Sequence, residues 1–500
     1  MGLFADLLRE EATHVTTENG QAARNTSGDA LVDLFSVIGA LRNNNAQFDK
    51  ERYKVLVLNA WNKDPLLTMK ILFYARDIRE GLGERDLFKL AMVILIDHHY
   101  EDSVLKNIHL IPEFGRWDDL YAFEGTILEK QAYSLIKEQF IKDVKILNGE
   151  EDGNISLLAK WIKTPDASSP RTKALGIKTA KFITGGKPVK DYKRDLRKLR
   201  KHLKLVEIKM SANKWTDIEY DKIPSRAMFV HKNAFENHDS EGFRKYISDV
   251  KSGKKTINAD TVYPFDIAKK ILYSNEKDFS LYEELWKQLP NTVDGSHNFL
   301  VMADTSGSMT GDPMAKSIGL AIYFAQRNMG PMHNLYMTFS ESPTIEDISK
   351  YPDLESAIRG ILRIGRWGFN TDLEKAFGFL LEFAMDNNIK QEDMPESLII
   401  ISDMEIDEAT YCNDEEDPFS FQSKMEAKYK DAGYTLPNIV YWNCASRQNL
   451  FHSDANHKGV QLVSGNSVNT FKLLAKSLGM TPHEVMMEAI TAPRYSEITV

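Results

Sequence analysis

At 500 residues the chain exceeds what one hydrophobic core ordinarily holds, and a make-up of 42% apolar and 27% charged residues excludes intrinsic disorder. No run approaches the roughly 18 apolar residues of a membrane span, and acids enter the opening segment MGLFADLLREEATH too early for a secretory signal, so a cytoplasmic chain with no membrane partner is expected. The net charge of −9 hides an asymmetry: residues 155–275 hold 27 Lys and Arg against 13 Asp and Glu, a surplus of 14 that leaves −23 for the rest and suits one region to a polyanion.

Residues 29–148 read as helices. Leu31, Leu34, Phe35, Ile38 and Leu41 recur at helical spacing behind Thr26, Ser27 and Asp29, any of which can cap the start. Segments 55–60, 66–78, 87–96 and 127–147 repeat the pattern, broken at Asp64-Pro65, Gly81-Leu82-Gly83 and Pro112. Short breaks between such helices give antiparallel pairs, and successive hairpins of this size suit a HEAT-like α-solenoid. Arg79, Gly81, Gly83, Glu84, Arg85 and the turn Gly115-Arg116-Trp117-Asp118-Asp119 read as helix-to-helix turns with a local ion pair and a packed Trp.

The stretch 164–170, TPDASSP, is a loop, after which basic helices begin. Over 190–204, KDYKRDLRKLRKHLK, the spacing sets Tyr192, Leu196, Leu199 and Leu203 on one face and most cations elsewhere. Lys193, Arg194, Arg197, Lys198, Arg200 and Lys201 can neutralise several phosphates of a nucleic acid, or form a solvated helix face.

Around residue 295 the pattern changes to alternating strand and helix. Strands are expected at 298–303, 335–339, 397–401, 438–442 and 460–463, and helices at 312–328 with Pro313 in the first turn, at 371–385 and from about 467. Such alternation implies a mainly parallel sheet covered on both faces.

Asp304, Ser306 and Ser308 stand as D-T-S-G-S directly after the strand HNFLVMA and before a helix. In an open α/β sheet, ligands sit outside the carboxyl ends of strands, which is where this loop lies. Thr371, in the loop Gly-Phe-Asn-Thr-Asp entering a helix, and Asp403, directly after the strand SLIIIS, supply oxygen donors at corresponding places. One or two carboxylates with several hydroxyls suit a small hard cation that keeps part of its water, which favours Mg²⁺ or Mn²⁺ over Zn²⁺; Ca²⁺ usually takes more carboxylates.

This D-x-S-x-S loop, with Thr371 and Asp403, resembles the metal-ion-dependent adhesion site of von Willebrand A domains. The resemblance implies a Rossmann-like fold in which Asp304, Ser306, Ser308 and Thr371 meet the ion or its waters and Asp403 acts mostly through water. An acidic group of a protein partner then completes the coordination. Trp367 and Phe369 flank the glycine of the second loop, where many relatives carry small residues, and so leave Asp372 open as the contributor there.

The runs TENGQAARNTSGDALVDLF, REGLGERDLF, FGRWDDL, LRKLRKHLKLVE and MSANKWTDIEYDKIPSRA resemble a family related to the Ro autoantigen, across nearly the whole chain. That resemblance implies a TROVE-like helical half, a ring or horseshoe of HEAT-like repeats over 1–290, and a von Willebrand A half over 295–500 whose last helix packs back on the helical half. It further implies a ribonucleoprotein role, binding small structured or single-stranded RNA. A metal-dependent protein-binding scaffold without RNA is the alternative expectation.

Catalysis is not expected. Gly185-Gly186-Lys187-Pro188 lacks the spacing and the Ser/Thr of a Walker loop, and neither Ser306 nor Ser308 lies in G-x-S-x-G. A metal-assisted hydrolase would need a general base that the sequence does not nominate. Adjacent His98 and His99 cannot chelate one ion from a helix. Cys412 and Cys444 form no CxxC pair and no Cys/His cluster, so they read as inert thiols of the core.

Overall fold

A computed structural model describes residues 12–18, 20–41, 49–186, 189–293, 297–338, 343–365, 372–406 and 421–500. The chain forms two compact units: one from Met1–Tyr74 with Asn258–Ser496, the other from Ala75–Ile257 with Glu497–Val500. A mostly helical region precedes a C-terminal α/β sheet, as the change of pattern near 295 implies.

The first unit holds a small hairpin, β1 (His14–Thr16) with β2 (Ala22–Arg24), and one six-stranded sheet. The sheet consists of β3 (Phe299–Ala303), β4 (Leu335–Thr338), β5 (Ile345–Asp347), β6 (Ser397–Ser402), β7 (Asn438–Asn443) and β8 (Val460–Ser464), in the order β5-β4-β3-β6-β7-β8. All neighbours run parallel except β5, which pairs antiparallel with β4 at the edge. Every residue of β3, β6 and β8 is buried. Since successive side chains point to opposite faces, the sheet is covered on both sides, and its strands are continuous apolar runs such as FLVMA and SLIIIS. Helix Asp312–Arg327, with Pro313 in its first turn, returns the chain from β3 to β4, and Met314 through Ala325 are all buried.

The order reverses between β3 and β6. From β3 the chain crosses to β4 on one side, and from β6 to β7 on the other, so the loops leaving these two central strands diverge. That divergence is the topological switch point where doubly wound sheets open a crevice.

Compact packing groups helix Ala30–Val37 with the sheet unit. Leu31, Val32, Leu34, Phe35 and Val37 are all buried, so the helix is apolar around its circumference and needs cover on every side. Gly39 behind it lies where a Cβ would come within 2.8 Å of the Gly465 backbone just beyond β8. Its amide donates to Ser464 Oγ at 3.0 Å. Helix Pro482–Ile490 packs on the same helix.

In the second unit, helices Asp86–Asp97, Glu129–Asn148, Pro170–Thr184, Val189–His202, Ser225–His238 and Ser240–Lys251 are the main elements. Asp119 Oδ2 accepts from Arg76 Nε (2.9 Å) and Nη2 (2.6 Å), and its Oδ1 accepts from Arg85 Nε (2.9 Å). Asp118 pairs with Arg85, Arg116 and Lys163. The Gly-Arg-Trp-Asp-Asp turn is therefore an ion-pair network in the helical core. The loop 164–170 ends as Ser169 caps helix Pro170–Thr184, and at Gly176 of that helix a Cβ would lie 2.2 Å from the Thr164 backbone. His98 and His99 end their helix instead of lying on it: His98 caps it and His99 takes φ +66°.

Candidate cation site at the sheet switch point

Parallel pairing sets Ala303 beside Ile401, so Asp304 and Asp403 leave neighbouring strands at one edge of the sheet. The Asp304 amide still donates to Ile401 O at 3.1 Å, which carries the ladder one step past the strand end. Asp304 is fully buried. Its Oδ1 accepts from the Ser306 amide at 2.9 Å and its Oδ2 from Ser402 Oγ at 2.6 Å, so each oxygen accepts from a neutral donor. Ser306 Oγ and Ser308 Oγ lie 3.0 Å apart, both partly exposed. The short turn Gly307–Met309 keeps the second hydroxyl beside the first.

Asp403 is buried as well; its Oδ1 accepts from the Glu405 amide at 3.2 Å, while Oδ2 has no hydrogen-bond partner among the described residues. Met404 takes φ +68°, a left-handed conformation uncommon for an unbranched side chain, and its amide returns to Ser402 Oγ at 3.0 Å. This sharp turn is what keeps the third loop at the sheet edge.

Burial and then the neighbouring charge of Asp403 raise the pKa of Asp304 to about 6. Burial raises Asp403 too, against the Glu405 amide, the Ser308 hydroxyl and the Arg447 guanidinium. Two adjacent desolvated carboxylates repel each other unless a cation lies between or beside them.

The four described members of the expected metal set, Asp304, Ser306, Ser308 and Asp403, thus share one edge of the sheet. Thr371 lies outside the described residues. Asp372 caps helix Leu373–Asp386, accepting from the Lys375 amide at 3.1 Å with Lys375 Nζ 3.6 Å away, so its carboxylate is engaged at the helix start. Among the described residues no group of three or more His, Cys, Asp and Glu side chains gathers to hold a metal.

Sequence reasoning did not find the residues that surround the carboxylates. Arg447, in the loop after β7, donates from Nη2 to the Ser308 carbonyl and places that nitrogen 3.6 Å from Asp403 Oδ2. Lys316 is buried and donates to the Cys444 carbonyl at 2.6 Å. Cys444 is a buried free thiol whose pKa burial raises, in keeping with an inert role; Cys412 lies outside the described residues. From the N-terminal segment, Thr17 Oγ1 donates to Ile406 O at 2.6 Å and the Glu18 amide to Glu405 Oε2 at 2.9 Å.

In the second unit, helix Val189–His202 buries Tyr192, Leu196 and Leu199 as its spacing predicts. The six cations expected to meet a nucleic acid divide into two groups. Arg200 donates to the Ala159 and Ile162 carbonyls, Lys193 pairs with Asp166 at 2.5 Å, and Arg194 pairs with Asp191 and Asp195. Arg197, Lys198 and Lys201 are exposed and, among the described residues, carry no ion pair; their spacing sets them on one face.

The chain matches the model of a domain of unknown function, DUF7788, over residues 298–493, and that of another domain of unknown function, DUF2828, over residues 17–135 and 187–303. It is similar to the uncharacterized protein L728 of Acanthamoeba polyphaga mimivirus, 28% identical across 95% of this chain and 86% of the viral protein. These descriptions name neither the Ro nor the von Willebrand A family and state no activity. Among the described residues no helix is long and apolar enough to cross a membrane.

Proposed function

We propose that this chain binds an acidic partner group through a divalent cation, Mg²⁺ or Mn²⁺, held where β3 and β6 end. Asp304, Ser306, Ser308 and Asp403 would hold the ion, with Thr371 expected to add a further hydroxyl. The observation that carries the reading is the buried Asp403 Oδ2, which lacks a hydrogen-bond partner among the described residues and stands close to a second buried carboxylate. A buried carboxylate oxygen that has no hydrogen bond and only a guanidinium 3.6 Å away is costly, and a hard cation among carboxylate and hydroxyl oxygens relieves it. When bound, the ion would offer an electrophilic position to an outside carboxylate. The chain's own part is to fix the oxygens: Ser402 and the Ser306 amide hold Asp304, and the left-handed Met404 holds the third loop. The role is non-catalytic. Titration of the full-length protein with Mn²⁺, followed by electron paramagnetic resonance, tests it: wild type should take up one ion and Asp304→Ala none. Uptake of one ion by Asp304→Ala as well removes the reading.

A second reading, RNA binding by the helical unit, is favoured by one observation: Arg197, Lys198 and Lys201 form an exposed row in a segment carrying 14 surplus positive charges. Filter binding of single-stranded and structured RNA should give an affinity that falls steeply with salt. Reversing Arg197, Lys198 and Lys201 together should weaken it at least tenfold, and an unchanged affinity eliminates this reading. Chelation distinguishes the two functions, since it should release an acidic protein partner and leave RNA bound.

A further inference from the structure

We infer that Arg447 is a tethered counter-cation of the Asp304 and Asp403 pair, competing with the divalent ion for the Asp403 oxygen and so setting how tightly the site takes that ion. The inference rests on the cation-binding reading above and adds to it a residue outside the motif.

One nitrogen, Nη2, bridges both loops that supply the described donors: it hydrogen-bonds the Ser308 carbonyl and lies 3.6 Å from Asp403 Oδ2. Among the described residues this is the ion pair that Asp403 makes, and the oxygen it faces is the one left without a hydrogen bond. Asp304 is held by Ser402 and the Ser306 amide, which carry no charge. Arg447 is thus the charged group that faces Asp403, while Asp304 accepts from neutral donors.

The latch has a fixed base and a free arm. Arg52, from helix Lys50–Lys63, donates from Nε to Asn449 Oδ1 (2.6 Å), from Nη1 to the carbonyls of Ser446 (3.2 Å) and Arg447 (2.6 Å), and from Nη2 to the Gln448 carbonyl (2.6 Å) and Ser446 Oγ. The Ser446 amide is bonded to Ala40 O at 3.3 Å. The main chain of residues 446–449 is thus anchored. The Arg447 side chain remains 33% exposed, while that of Asp403 is fully covered. A guanidinium already one-third exposed loses little by turning out to water, so exchange against an ion is inexpensive on the arginine side. A divalent ion beside a guanidinium that stayed in place would meet like-charge repulsion at short range, which weakens its binding.

The test is Mn²⁺ titration of the full-length protein, read by electron paramagnetic resonance, on wild type, Arg447→Gln, Arg447→Lys and Asp304→Asn. Arg447→Gln should bind Mn²⁺ about tenfold more tightly than wild type, and Arg447→Lys within about threefold of it, because one repulsive charge is removed only in the first. Uptake by Arg447→Gln alone also supports the inference. Equal or weaker binding by Arg447→Gln, with wild type binding and Asp304→Asn not, overturns it and leaves the cation reading intact. No uptake by either wild type or Arg447→Gln, or full uptake by Asp304→Asn, overturns both.

Discussion

Arg76 and Asp119 are both essentially excluded from solvent, and each satisfies the other through two hydrogen bonds. Removing Arg76 leaves Asp119 paired with Arg85, but removing Asp119 strands the Arg76 charge in the core. Asp119→Ala should therefore lower the stability of the helical unit by roughly 3–5 kcal/mol, read as a shift of the urea midpoint. Gly115 belongs to the same network, since a Cβ there would lie 2.5 Å from Asp119 Oδ2 and 2.6 Å from Arg76 Nε. His452 offers a pH test. Its Nε2 lies 3.0 Å from the Met404 carbonyl, its ring lies against Tyr441, and burial lowers its pKa to about 4. A base whose folded pKa is depressed takes up its proton first in the unfolded chain, so its contribution falls as pH drops below the ordinary histidine value near 6.5. From pH 7 to 5, wild type should lose about 1–2 kcal/mol more stability than His452→Gln, as compared by urea midpoints. At this scale the sequence exposed residue types whose spacing is local, such as Asp304, Ser306 and Ser308. It did not expose Arg447, Lys316 or Ser402, because nothing within a few residues of each distinguishes it from an ordinary surface cation, helix lysine or strand serine.

Among the elements, the N-terminal segment departs furthest from its sequence reading. It reads as the start of a helical series, yet helix Ala30–Val37 packs beside β8 and helix Lys50–Lys63 clamps the loop after β7 through Arg52. Burial lowers the Arg52 pKa to about 10, which leaves it charged at neutral pH. Charge-assisted bonds to several carbonyls exceed what a surface ion pair supplies. Arg52→Ala should cost about 2 kcal/mol and speed limited proteolysis within 446–449, whereas unchanged cleavage there would refute the clamp. The parallel strands and the helices between them were legible because continuous apolar runs and helical spacing need no partner to be recognised. The three-residue strands β1, β2 and β5 were not, since pairing alone gives such short segments their extended form.

At the scale of the whole chain, the sheet unit is assembled from both ends of the sequence. Residues 298–493, the stretch matched by one domain model, lack the hairpin, helix Ala30–Val37 and Arg52. Expressed alone, that stretch should be aggregation-prone and bind a hydrophobic dye, because the surfaces beside β8 lose their cover; a monomeric, cooperatively unfolding fragment would contradict this. Sequence alone determined the class of each half, the order of the parallel strands along the chain, the position of the D-T-S-G-S loop at a strand end and the apolar face of the basic helix. These follow from periodicity and turn chemistry, which act over a few residues. Tertiary structure decided that Asp304 and Asp403 are adjacent, that Arg447 pairs with Asp403, that Lys193, Arg194 and Arg200 are engaged within the protein, and that residues before 75 complete the sheet unit. Each of those depends on segments far apart in the chain meeting, and burial then changes what a side chain's charge can do.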